Sequence, residues 1–174
     1  MKNTKHAAGL FTTAVLAGIL VLGAVSVGFS KPVVTDAVSA GYLASRYVPQ
    51  TSDLQGVTDA GDHYNVAYAW TADGMNVSYD IAVSKAEQRV TSSTTRYNNN
   101  RAGSTVSLSE SQVREQLAKR VPSATIDTIE LNAGAAGSYY TVNYHSGATT
   151  GTIELDAATG NTIEKTVNYA TLNR

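Results

Sequence analysis

The sequence predicts an α+β protein made of two tandem small modules, each one helix packed on an antiparallel sheet, after an N-terminal hydrophobic helix. Three observations predict this class. Short runs alternate apolar and polar residues at period two between tight-turn signals, the pattern of half-buried strands. Two segments that open on a capping residue end at Val48-Pro49 and Val121-Pro122. The helix-then-strands order occurs twice, at a nearly constant spacing of about 73 to 76 residues.

The first element is the apolar run. Met1 to His6 carries Lys2 and Lys5, and Ala7 to Phe29 contains no charge. At about 1.5 Å per residue this run spans roughly 34 Å, enough to cross a bilayer. A basic flank stays cytoplasmic, so the rest of the chain faces outward. Residues 1–30 are therefore expected to be a cytoplasmic tail plus transmembrane anchor, or a signal peptide. The length favours a retained anchor. Val38-Ser39-Ala40 before Gly41 offers a small-x-small cleavage site, although it falls within the first predicted helix. The expected location is the cell membrane, single-pass with the C-terminal part extracellular; the alternative is a secreted protein.

The first module is expected at 33–92. Thr35 caps a helix that runs through Arg46, with Ala40, Ala44 and Tyr47 on one side. Leu54 to Val57 forms a short strand. Tyr64, Val66, Tyr68 and Trp70 alternate along one face, Ala72-Asp73-Gly74 turns the chain, and Val77, Tyr79, Ile81 and Val83 alternate on the return. Trp70 shares the parity of this core face, which places it at the core or its edge. The polar stretch beginning at Thr91 has few apolar residues and reads as a linker or long surface loop, with 93–107 as the divide.

The second module is expected at 108–170. Ser109 and Gln112 form a capping box, with Leu108 and Val113 at the hydrophobic-staple positions. Val113, Leu117 and Val121 make one narrow apolar stripe, and Pro122 stops the helix. Thr125 to Leu131 is a β-rich run. Tyr140, Val142 and Tyr144 alternate with polar residues, as do Ile153 and Leu155 after a Ser146-Gly147 turn. Gly160 supplies the positive φ of the next turn, Asp156-Ala157-Ala158-Thr159-Gly160, and Ile163 and Val167 open the last strand.

A helix, then strands, then a DAATG turn resembles a PepSY domain, from Ser109 to Val167. The usual Asp-x-x-Thr-Gly-Lys turn has Asn161 in place of Lys here. The first half has Ser84-Lys85-Ala86-Glu87 where DAATG stands later and lacks its Gly, so it is PepSY-like only. The layout is also similar to the membrane-anchored tandem cystatin-like cell-wall elongation regulators of Gram-positive bacteria. These resemblances imply noncatalytic protein binding outside the cytoplasm. The implied partner is another envelope protein, a peptidase or a penicillin-binding protein. Membrane attachment runs through residues 7–29. A freely secreted inhibitor or propeptide-like module after signal cleavage is the alternative.

Composition narrows the remaining classes. The net charge of −1 gives no electrostatic footprint for nucleic acid. The chain has no Cys, which excludes disulfides, thiol catalysis, thiolate metal sites and a lipid anchor on Cys. Ten Tyr against two Phe suit a strand-rich fold with a wet surface. His6, His63 and His145 show no metal-ligand spacing, and no Gly-x-Ser-x-Gly elbow occurs. Glu154 and Asp156 share a strand face, which suits either paired carboxylates or a solvated surface; the solvated surface is expected, since no neighbouring residue would desolvate them. No catalytic, metal-binding or cofactor-binding residue is expected, and no cofactor. The polar face of one strand, Tyr139, Thr141, Asn143 and His145, is the candidate partner surface. The same set also suits an ordinary solvent face.

Overall fold

In the computed structural model the described residues are 33–98, 100, 103, 105–134 and 137–170. The expected tail and hydrophobic helix at 1–30 lie outside them. Among the described residues no helix is long and apolar enough to cross a membrane.

Helix α1, Ala37–Ala44, is capped by Asp36 rather than the expected Thr35. The Asp36 carboxylate accepts the Ser39 N–H at 2.8 Å, and the Ser39 hydroxyl oxygen accepts the Asp36 N–H at 3.2 Å. A carboxylate here also complements the positive end of the helix dipole. The chain continues as one 3₁₀ turn, Ser45–Tyr47, before Pro49. The sheet-facing residues of α1, Ala40, Gly41 and Ala44, are small. They let the helix backbone come close enough for the Tyr68 hydroxyl to donate to the Gly41 carbonyl at 2.9 Å.

Helix α2, Glu110–Arg120, has the expected capping box between Ser109 and Gln112. It packs through Val113, Leu117 and Val121, all fully buried. Each such side chain contributes roughly 1.5–3 kcal/mol of transfer free energy. Lys119 and Arg120 lie in its last turn, where cations complement the carbonyl end.

The strands are β1 (Asp53–Asp59), β2 (His63–Ala72), β3 (Met75–Ser84), β4 (Arg89–Tyr97), β5 (Thr125–Gly134), β6 (Gly137–Ser146), β7 (Thr149–Asp156) and β8 (Thr162–Tyr169). They form one antiparallel sheet in the order β1-β2-β3-β4-β8-β7-β6-β5. The polar residues from Thr91, expected as linker or loop, are strand through Tyr97. Here β4 pairs with β3 on one side and β8 on the other. Threonine is a good strand former, and backbone pairing on both edges compensates for its lack of apolar area.

Each half runs as a helix followed by a four-strand meander, and the last strands of the halves meet. At the join Ser92 faces Asn168, Thr94 faces Thr166 and Arg96 faces Glu164. The Thr94 and Thr166 hydroxyls lie 2.9 Å apart at the centre of this pairing. Register breaks fall at Leu54/Gly56 and Ala82/Val83 in the first half, and at Ile126/Thr128 and Glu154/Leu155 in the second. The first breaks of the two halves lie 72 residues apart, and so do the second breaks.

Pairing fixes the two faces. Tyr64, Val66, Tyr68, Ile81, Val83 and Val90 pack with α1. Tyr140, Val142, Tyr144, Ile153, Leu155 and Ala157 pack with α2. Following the register across the sheet puts both helices on one face. The other face is a field of Thr, Ser and Asn. Trp70 sits at the core edge, half-buried, with its indole N–H on the Thr51 hydroxyl at 3.0 Å.

Candidate functional site

The candidate residues Tyr139, Thr141, Asn143 and His145 do share the polar face, on β6. Three are half-buried and His145 is exposed. Their polar atoms bond mainly to neighbouring strands. Asn132 donates to the Thr141 hydroxyl at 2.9 Å, and Asn143 donates to the Thr128 hydroxyl at 2.9 Å. The Thr152 hydroxyl donates to the Asn143 side-chain oxygen Oδ1 at 2.7 Å. These lateral bonds link the polar side chains of β5, β6 and β7 across the sheet.

His145 Nδ1 lies 2.7 Å from an Asp127 carboxylate oxygen, and His63 Nδ1 lies 2.5 Å from Asp62. The two histidines occupy opposite ends of their strands, at the start of β2 and near the end of β6. Among the described residues no group of three or more His, Asp or Glu is arranged to hold a metal ion.

Glu154 and Asp156 differ from the expected solvated pair. Asp156 is 4% exposed and is consumed by its own turn. Its carboxylate accepts the Thr159 N–H and hydroxyl, both at 2.7 Å, and the Ala158 N–H at 3.1 Å. It also accepts the Gly103 N–H at 2.8 Å, tying the segment before α2 to the sheet. Burial alone would raise its pKa, but the bonds from Thr159, Gly103 and Ala158 outweigh it and hold the group below the usual carboxylate range. Glu154 is half-buried and faces Glu164 across β7–β8. Burial, then the Glu164 charge, pushes its pKa up. Arg96 bonds both Glu164, at 2.8 Å, and Asp80, so the row is partly neutralised.

Gly160 closes the turn at φ +72, and a side chain there would meet Leu108 at 3.1 Å. Its N–H donates to the Asp156 carbonyl at 2.8 Å, and Arg120 donates to its carbonyl at 2.7 Å. Asn161 contributes its backbone carbonyl, which accepts the Asp156 N–H at 2.9 Å. The change from the usual Lys therefore leaves the turn intact.

Residues 107–166 match the PepSY family model, described as the peptidase propeptide and YPEB domain. This segment is a PepSY domain. It takes in α2, β5, β6, β7 and most of β8, and through Asp156 its DAATG turn holds Gly103, ahead of α2, against the sheet. No similar curated protein and no similar solved structure was found for the chain. PepSY domains are associated with peptidase propeptides and inhibitors, which agrees with a noncatalytic, regulatory role.

Between the helix of the PepSY domain and α1 lies a strip of β4 and β8, here called the valley, whose central residues belong to neither helix's core. Its floor carries Ser93, Thr95, Lys165 and Val167, all half-buried. At one end the ring of Tyr47 meets that of Tyr169 edge-on, with centroids 5.4 Å apart. The Tyr169 hydroxyl lies 3.2 Å from that of Ser93, and its carbonyl accepts from Arg89 at 2.8 Å. At the other end stand Tyr97 and Arg120. Burial raises the pKa of Tyr47, Tyr97 and Tyr169, and with the nearby Tyr97 it pushes that of Tyr79 to about 12. Sequence reasoning did not single out Lys165 or this set of tyrosines. They come from separate strands and helix ends, and only the β4–β8 pairing brings them together.

Proposed function

We propose that the chain is a noncatalytic extracytoplasmic protein that binds and regulates a peptidase or a cell-wall synthesis enzyme at the bacterial surface. The PepSY domain at 107–166 is the observation that carries this reading. A membrane anchor at 7–29 fits it. Tethering raises the effective concentration for a membrane-bound partner, so modest affinity suffices.

The first half acts, on this reading, as a second, PepSY-like unit. Its turn supports this: the Gln88 N–H donates to the Ser84 carbonyl at 3.0 Å, as Gly160 does to Asp156. The Glu87 N–H donates to the Ser84 hydroxyl at 3.1 Å, as Thr159 does to the Asp156 carboxylate. The recurring register breaks support it too. The polar face of β6 remains a proposed contact surface.

In-cell crosslinking of the full-length chain, followed by mass spectrometry, tests the function. Recovery of a peptidase or transpeptidase is expected. Recovery of no specific partner would leave a structural envelope protein instead. A mature N-terminus at Gly41 would replace the anchored form with the secreted one.

A further inference from the structure

Lys165 is a half-buried cation. Among the described residues its ammonium has no ion pair and no hydrogen bond. Register places it on the valley floor, opposite Thr95 of β4 and Ile153 of β7. Burial pushes its pKa down, the mark of a charge stripped of water without compensation.

No carboxylate of the central strands faces Lys165. The carboxylates of the four central strands are Asp80, Glu154, Glu164 and Asp156. The first three lie on the opposite face, and Asp156 is buried in its turn. Arg120 stands at one end of the valley; Arg89, at the other, is already paired with Glu87. Helix α1 contains no acid, and Glu110 and Glu115 of α2 are paired with Arg114 and Lys119. Burying a charge is costly unless an opposite charge joins it, so this site is complementary to a carboxylate. The tyrosines around it are the residue type enriched in protein contacts. Two cations, Lys165 and Arg120, amid tyrosines do not match the regular charge of nucleic acid.

We propose that the valley over β4 and β8 is the docking site for an acidic, extended segment of a partner protein, with an Asp or Glu side chain of that segment seated on Lys165. This rests on the regulatory reading above and names the surface and the partner chemistry it uses.

The test titrates isotope-labelled full-length protein with a decapeptide of alternating Ser and Glu, and with its Ser-Lys counterpart, following amide resonances. The Glu peptide should shift Ser93, Thr95, Lys165, Val167 and Tyr169, and the Lys peptide should not. Lys165→Met should weaken the Glu peptide at least tenfold, while Lys165→Arg and Thr141→Ala keep it. An unfolding scan of each variant verifies the fold. Equal binding by Lys165→Met, or shifts confined to Thr141 and Asn143, overturns the proposal. In cells, a photo-crosslinker at Thr95 should capture the partner through a peptide containing Asp or Glu. Capture from Thr141 alone overturns the valley and leaves the regulatory reading standing. Capture from neither position overturns that reading itself.

Discussion

Asp156 shows how one side chain organises a local motif. Its carboxylate collects bonds from the turn that follows and from Gly103 well before it in sequence. Charge-assisted bonds to a buried carboxylate are each worth about 1.5–3 kcal/mol, and they are not additive. Asp156→Ala should therefore lower stability by about 2–4 kcal/mol at neutral pH, read by urea unfolding. The pH sign follows from its depressed pKa. Its contribution is complete above the unfolded value near 3.9 and is lost as pH falls through the lower folded value. Wild type should thus lose stability more steeply than Asp156→Asn below about pH 4. Lys165 has the opposite balance, because its folded pKa is lowered. Removing that charge should raise the thermal midpoint of Lys165→Met at neutral pH, as at many sites where function costs stability. Gly151 belongs to the same scale. A Cβ there would fall 2.4 Å from the Tyr144 ring, so Gly151→Ala should cost about 1–3 kcal/mol unless Tyr144 swings away.

The turns between β3 and β4 and between β7 and β8 share one geometry built from different residues. In the second, Gly160 and Asp156 announce themselves in the sequence through known turn chemistry. In the first, Gln88 holds φ +55 where Gly160 stands later, and the Ser84 hydroxyl replaces the carboxylate. No glycine marks that turn, which is why the sequence likeness of the two halves weakens there. Gln88 has a further role. Its side-chain oxygen accepts the Val34 N–H and its amide donates to the Val34 carbonyl at 3.3 Å, clamping the strand-like entry to α1. Gln88→Gly would relieve a left-handed backbone worth about 1–2 kcal/mol but release both of these bonds and the one its amide donates to the Lys85 carbonyl. A near-neutral to slightly destabilising effect is expected, with faster amide exchange at Val34 and Thr35 as the diagnostic signal. Strand β4 was illegible for a related reason. Its side chains from Thr91 to Thr95 are hydroxyls, so neither face gives the apolar alternation that exposed β2, β3 and β6 in the sequence. Only their β-branched threonines carried a strand signal.

At the scale of the whole molecule, strand alternation and capping signals were enough to read an α+β fold of helices and antiparallel strands, but the expected two separate sheets are one continuous eight-stranded sheet. The join is made by backbone pairing between polar strands and by contacts that cross it: Thr94 with Thr166, Arg96 with Glu164, Arg89 with the Tyr169 carbonyl, and Tyr47 with Tyr169. None of these has a local sequence signature, and the valley inherits that invisibility. The join also has a thermodynamic consequence. If β4 exposed its edge whenever the second half unfolded, it would lose paired backbone groups from Ser92 to Arg96, so the halves should unfold together. Trp70 lies in the first half and is the chain's single tryptophan, so its fluorescence reports that half alone. Leu155→Ala removes a fully buried side chain from the second core and should cost about 2–5 kcal/mol. In a continuous sheet that loss moves the Trp70 transition to lower urea by the same free energy. In two independent modules it leaves the Trp70 transition where it was. Hydrogen exchange across β2 and β6 under mild denaturant distinguishes the cases a second way, because common protection in both strands is expected only when the β4–β8 pairing makes them one cooperative unit.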